Sequence, residues 1–236
     1  MVTRYLVITC VLITASLFAT EPLHVLSLKN HPNVYMYLPD TINWKRKVPL
    51  IIALYGLQQK PMDAIEQWAP IAKKTGAIVL VPKGSDFYQA YTRTPVDDRE
   101  RLVDLLSYIK SIYPIHSSKV LLAGFSKGGS IAIETALLHP KVFPKVLCIY
   151  GFLVERFLPV LTDIPSPLFG RQYSQFLLIT GRADATEQSL TRAHGLFMKK
   201  KFISGLKIYP NLRHAYPDDL MTIVEAFLSG QKPSQI

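Results

Sequence analysis

The sequence predicts an α/β domain whose mostly parallel sheet of eight strands carries helices on both faces. Three observations carry this expectation. From residue 48 onward, short apolar runs alternate with segments of helical period. The 236 residues suit one domain with a sizeable core. Finally, Gly124-Phe125-Ser126-Lys127-Gly128 stands between an apolar run and a helical segment, a G-x-S-x-G pattern at a strand-to-helix turn.

The elements follow in order. Runs at 23–28 and 33–38, separated by Asn30-His31-Pro32-Asn33, predict a hairpin. Val48 to Leu54 is continuously apolar, as in a strand covered on both faces. Pro61 opens a helix with Met62, Ile65, Ala69 and Ala72 on one face, and Pro70 is expected to split or kink it. A strand at 77–81 follows. Thr94-Pro95 with Asp97 and Asp98 then starts a helix striped by Leu102, Leu106 and Ile109. Next come a strand at 119–124, a helix from about 127 to 138 and a strand at 145–150. Residues 151–174, with Pro159, Pro165 and Pro167, break the rhythm as a short insertion. Regularity returns with a strand at 176–180, a helix at about 186–200, a strand at 205–209 and a helix at 217–229.

Composition sets the bounds. With 49% hydrophobic residues, no repeat and no low-complexity tract, the chain is not of the disordered class. The formal charge of +10 is spread along the chain, apart from Lys199-Lys200-Lys201. It reads as a basic solvated surface, with weak association to an anionic membrane surface as the sharper alternative. No nucleic-acid motif accompanies it. Residues 1–20 read as a signal peptide: Arg4, then an uncharged stretch from Tyr5 to Ala19, then small or polar residues before Glu21-Pro22. That stretch is shorter than the roughly 20 residues of a membrane span. Leu17 nevertheless weakens the cleavage site, so an N-terminal anchor is the alternative to export. Cys10 falls in this segment and Cys148 in an apolar run, which leaves a buried thiol and no internal disulfide.

In open α/β sheets, chemistry gathers at the carboxyl ends of the strands. Ser126 sits there, with Gly124 and Gly128 to admit a tight turn and a helix N-terminus beneath it to favour developing negative charge. A serine hydroxyl needs a base. His24 and His31 lie in the opening hairpin, His116 and His139 at element ends, and His194 on an amphipathic helix. His214 lies in the loop between the last strand and the last helix, above the carboxyl edge. The acid should follow an intervening strand, in the order serine, acid, histidine. Asp184, in the turn after 176–180, is the choice; helix capping is its other reading, and Glu187 and Asp163 are the fallback acids. Asp218 and Asp219 serve the last helix. Backbone N–H groups of Lys127 and of Leu57, or else Gln58, would hold an oxyanion.

With these residues in place, the chain resembles the α/β-hydrolase superfamily from about residue 23 to 229. The likeness is to small carboxylesterases of the phospholipase/acyl-protein-thioesterase kind and to dienelactone hydrolases. It rests on Leu54-Tyr55-Gly56-Leu57, Gly124 to Gly129, Gly181 to Asp184, and His214. It departs at Tyr55, where relatives usually carry histidine, at Arg213, where glycine is common, and at Lys127, usually a neutral residue. The resemblance implies hydrolysis of a small or lipid-like acyl ester or thioester through Ser126, Asp184 and His214. A peptidase and a non-catalytic binding protein of the same fold are the alternatives. Ser107-Tyr108-Ile109-Lys110 matches S-x-x-K without its partner signatures. With no metal or dinucleotide motif, neither metal nor cofactor is expected.

Overall fold

Apolar runs too uniform for one solvated face have to be covered twice, and the sheet does this. The computed structural model describes residues 22–28, 32–86, 90–92, 97–164 and 173–236. The predicted leader, His31 and the Thr94-Pro95 helix start therefore lie outside the described residues. Eight strands form one sheet: β1 (Leu23–Leu26), β2 (Val34–Tyr37), β3 (Val48–Leu54), β4 (Ile78–Pro82), β5 (Ile115–Phe125), β6 (Lys145–Ile149), β7 (Gln175–Gly181) and β8 (Ser204–Tyr209). Their order is β1-β2-β4-β3-β5-β6-β7-β8. The six strands from β3 to β8 are parallel, and β2 pairs antiparallel with both β1 and β4. Every position of β4 and β6 is buried. The sheet lies between helix layers: α1 (Pro61–Thr75) packs on α6 (Leu220–Ser229), while α3 (Lys127–Leu138) packs on α2 (Asp98–Ile112) and α4 (Phe157–Asp163). The remaining helix, α5 (Glu187–Lys199), packs on β7 and β8.

Several expectations shift. Pro70 does not split α1, because Trp68, Ile71 and Ala72 around it are buried in the core and hold the helix together. Met62 is exposed rather than core-facing. Strand β5 begins before its apolar run, since Ile115 pairs with Val48 across a register shift. The last helix starts at Leu220, three residues late, after a turn in which Leu220 N donates to Pro217 O. Asp97 caps α2 by accepting from Arg99 N at 3.0 Å. Its neighbour Asp98 is buried and holds a loop instead, accepting from Ser85 Oγ at 2.7 Å and Thr92 N at 2.7 Å. Cys148 is fully buried, and burial pushes its thiol up to about 12.

Phe176 on β7 stacks on Phe197 of α5 with ring centroids 4.3 Å apart, and Phe202 meets both rings edge-on. Truncating a buried phenylalanine loses its transfer free energy and leaves a cavity. Phe176→Ala is expected to lower the unfolding free energy by about 3–5 kcal/mol, read as a lower urea midpoint at unchanged slope. A loss under about 1 kcal/mol would show that the neighbouring rings collapse into the space.

Candidate active site

Between β5 and α3 the chain reverses within one residue, and Ser126 absorbs the turn. Its backbone has φ 52° and ψ −119°, a conformation that costs a non-glycine residue about 1–3 kcal/mol. Three features hold it there. Ser126 N donates to Ile149 O at the end of β6, at 2.7 Å. A β-carbon on Gly124 would stand 2.2 Å from Gly128 O, and one on Gly128 would stand 2.4 Å from Leu54 O. Glycine is therefore required on both sides for α3 to settle against β3 and β5. The N-terminus of α3 lies directly below the serine, where the helix dipole is positive.

Across the carboxyl edge, His214 Nδ1 lies 3.2 Å from Asp184 Oδ2. Burial works against ionisation of Asp184, but hydrogen bonds from Thr186 Oγ1 at 2.7 Å, Thr186 N at 2.8 Å and His214 outweigh it and hold the carboxyl below its ordinary range. An ionised carboxylate only accepts, so Nδ1 carries the proton of this bond and Nε2 points away from the acid. Rings fix the imidazole: Phe125 stands 5.1 Å away and Tyr150 4.8 Å away between centroids. Phe125 immediately precedes Ser126, so the histidine packs beside the serine's own strand. Among the described residues, no hydrogen bond joins Ser126 Oγ to the imidazole. In unliganded enzymes such contacts are often long and tighten when substrate binds.

Gly56 places the loop after β3 against the serine, since a β-carbon there would meet Ser126 Cβ at 3.1 Å. The Gly56 N–H is spent on Gln59 Oε1 at 2.7 Å. Leu57 is exposed, and Gln58 turns through φ 63°. The departure at Tyr55 has a structural reason. Its ring is buried against Tyr91, at 5.0 Å, and its hydroxyl accepts from Gly84 N at 2.8 Å, which anchors the loop from below. Glu187 is engaged elsewhere, accepting from Ala183 N at 2.7 Å and pairing with Arg182. Asp163 is the exposed last residue of α4. Asp219 occupies the position before α6 but does not cap it; its carboxylate takes Tyr209 Oη and Lys207 Nζ. His116, His139 and His194 are paired with Ser118, Glu100 and Ser204.

Sequence reasoning missed Tyr150 and Thr186. Tyr150 has φ 55°, and its hydroxyl donates to Leu212 O at 3.1 Å, tying β6 to the His214 loop. Its place at the end of an apolar strand, on the carboxyl edge, was the available signal. Thr186, two residues after Asp184, is the partner expected of an Asx turn. The insertion at 151–174, with Phe152, Leu153, Phe157 and Phe169 available in sequence to wall an open site, does not supply that wall as a whole. Leu153 and Phe157 are core residues because residues 151–164 dock on α3 and α5 through Phe152 N to Ser130 Oγ at 2.8 Å and Leu153 N to Ser189 Oγ at 3.2 Å. Phe152 remains exposed, and Phe169 lies outside the described residues.

A strained serine at a strand-helix elbow of a mostly parallel eight-stranded sheet defines the α/β-hydrolase class of serine hydrolases. The chain belongs to the family described as "Putative esterase", whose model matches residues 26–189. A bifunctional acetylxylan esterase/xylanase of Neocallimastix patriciarum is 26% identical over 99 residues, covering 41% of this chain and 14% of that protein. The fold is similar to that of esterase PE8, with a TM-score of 0.65, 18% identity, and coverage of 82% of this chain and 96% of the other. It is also similar to S-formylglutathione hydrolase from Staphylococcus aureus, at TM-score 0.63, 15% identity, and 87% and 96% coverage.

The loop bearing His214 depends on a close backbone approach: a β-carbon on Gly181 would lie 1.9 Å from Leu212 O and 2.7 Å from Tyr150 Oη. Gly181→Ala should therefore leave a folded protein that has lost the Asp184–His214 bond. The check is the downfield proton resonance of His214 Nδ1, which should disappear, whereas an unchanged resonance would mean the loop yields without moving the histidine. A second expectation concerns acid. The Asp184 carboxyl lies below its ordinary 3.8 in the fold, so its contribution is present above that value and lost as pH falls through the folded value. Asp184→Asn should flatten the acid limb of stability below about pH 4, measured by denaturation across pH; an acid limb as steep as the parent's would contradict this.

Proposed function

We propose that this protein is a serine esterase that transfers an acyl group from an ester or thioester to water. Ser126 attacks the carbonyl, and His214 Nε2 takes its proton and returns it to the leaving group. Asp184 keeps the imidazole in the required tautomer and stabilises its charged form. The amides of Leu57, in the loop after β3, and Lys127, at the start of α3, receive the oxyanion. The observation that carries this reading is the strained backbone of Ser126, because strain of this kind persists only where the surrounding structure holds it. The Asp184–His214 pair on the same edge of the sheet supports it.

A fluorophosphonate should label Ser126, and Ser126→Ala should abolish labelling and lower turnover by about 10⁶, as in a protease precedent. Asp184→Asn should lower turnover by about 10⁴ with the fold intact. Labelling at another serine, with activity surviving in Ser126→Ala, would overturn the nucleophile. A larger loss in Glu187→Gln than in Asp184→Asn would overturn the acid.

The substrates we propose are short acyl esters, which agrees with the acetyl ester named for the N. patriciarum relative. The described part of the insertion is bonded near its start to α3 and α5, which supports an open site over a lidded one. Hydrolysis of p-nitrophenyl acetate or butyrate should saturate below the solubility limit, with no jump in rate when an oil–water interface appears. A sharp interfacial jump would show that a lid must open first.

The leader reading supports export, periplasmic or secreted, followed by cleavage of residues 1–20. Expressed in a bacterial host, the protein should be found outside the cytoplasm with a first residue between about 18 and 24. Full-length protein in the membrane pellet would favour the anchor.

A further inference from the structure

At the amino-terminal edge of the sheet, away from Ser126, a cavity of about 350 Å³ opens between the starts of β5, β6 and β7 and the end of α6. That volume is in the range of small-molecule sites. It lies about seven residues down β5 from the serine, roughly 23 Å at the rise of a strand, and so is separate from the esterase site. Its polar lining includes three lysines, Lys119, Lys145 and Lys201, and no carboxylate among the described residues. Tyr173, Phe202 and Ile203 supply an apolar side.

Lys145 is the informative residue. It is the first residue of β6 and lines the cavity, with the residue as a whole 5% exposed. Among the described residues, its ammonium makes no hydrogen bond or ion pair; its recorded contact is the face of Phe227, 4.7 Å from the ring centroid. An ammonium packed at a cavity wall loses part of its hydration, and no carboxylate among the described lining residues offsets that loss. Burial first, and then the like charge of Lys119, pull the Lys145 ammonium below its ordinary value. The end of α6 brings about half a negative charge to the rim, too little to balance two ammonium groups.

We propose that this cavity binds a phosphate monoester: the dianionic phosphate sits between the Lys145 and Lys119 ammonium groups, with Lys201 at the rim, and a small organic body lies against Tyr173, Phe202 and Ile203. Two adjacent ammonium groups match a dianion better than a single carboxylate. The phosphate may be carried by a soluble metabolite or by a lipid headgroup, and the basic surface of the chain attracts both.

The test is isothermal titration of the full chain with phenyl phosphate, beside sedimentation with phosphatidate vesicles. Saturable binding of phenyl phosphate is expected, at least tenfold weaker in Lys145→Met and also weakened in Lys119→Ala. Binding confined to vesicles and lost in both variants would identify the headgroup as the source. Without ligand, Lys145→Met should melt at or above the parent temperature, because an unpaired charge has been removed; with phenyl phosphate only the parent should gain. Absence of saturable binding to either probe would overturn the proposal. So would equal binding by both variants, or a Lys145→Met protein that melts several degrees lower, which would make Lys145 a structural group held by Phe227. Esterase activity plays no part in any readout.

Discussion

The close approach of α3 to the carboxyl ends of β3 and β5 is the constraint on which the active edge depends. Gly124 and Gly128 let two backbones pass where no β-carbon fits. That approach forces the reversal onto Ser126 and aims the start of α3 under it. Strain at one residue is then sustained by the mostly parallel sheet, because the serine amide is bonded to β6 and the loop after β3 leans on the serine. A local conformation costing about 1–3 kcal/mol is affordable only against a core of this size.

The two ends of the sheet differ in charge logic. At the carboxyl edge, an ionised Asp184 is fully engaged by Thr186 and His214, so its charge is oriented before any reaction begins. The aromatic packing of Phe125 and Tyr150 around the imidazole restricts it to the plane in which that carboxylate is useful. At the amino edge, the Lys145 ammonium lies over the Phe227 ring at a cavity wall, with no hydrogen-bond partner among the described residues. The first arrangement is self-contained, and the second leaves its positive charge facing a cavity.

Much of the architecture was legible because it rests on period. Uniform apolar runs announced strands covered on both faces, and their alternation with helical segments announced the mostly parallel sheet, in which all eight strands occur. Where local signals misled, long-range packing decided. Pro70 reads as a helix breaker, yet the buried side chains of Trp68, Ile71 and Ala72 keep α1 whole. Residues 151–164 read as irregular because Pro159 obscured the period, and their apolar side chains belong to the core.

By itself the sequence determined the elbow, since G-x-S-x-G between a strand and a helix admits few backbone solutions, and it determined the topological order in which Ser126, Asp184 and His214 reach one edge. Only the tertiary structure decided what holds them. Tyr150 reaching Leu212, Tyr55 reaching Gly84 and Phe125 flanking His214 join residues from about 29 to 89 positions apart. The gathering of Lys119, Lys145 and Lys201 around one cavity was equally invisible, because which residues line a cavity is a property of packing. Short-range steric rules leave their mark in a local pattern of residue types, whereas contacts between distant segments are fixed only when the sheet assembles.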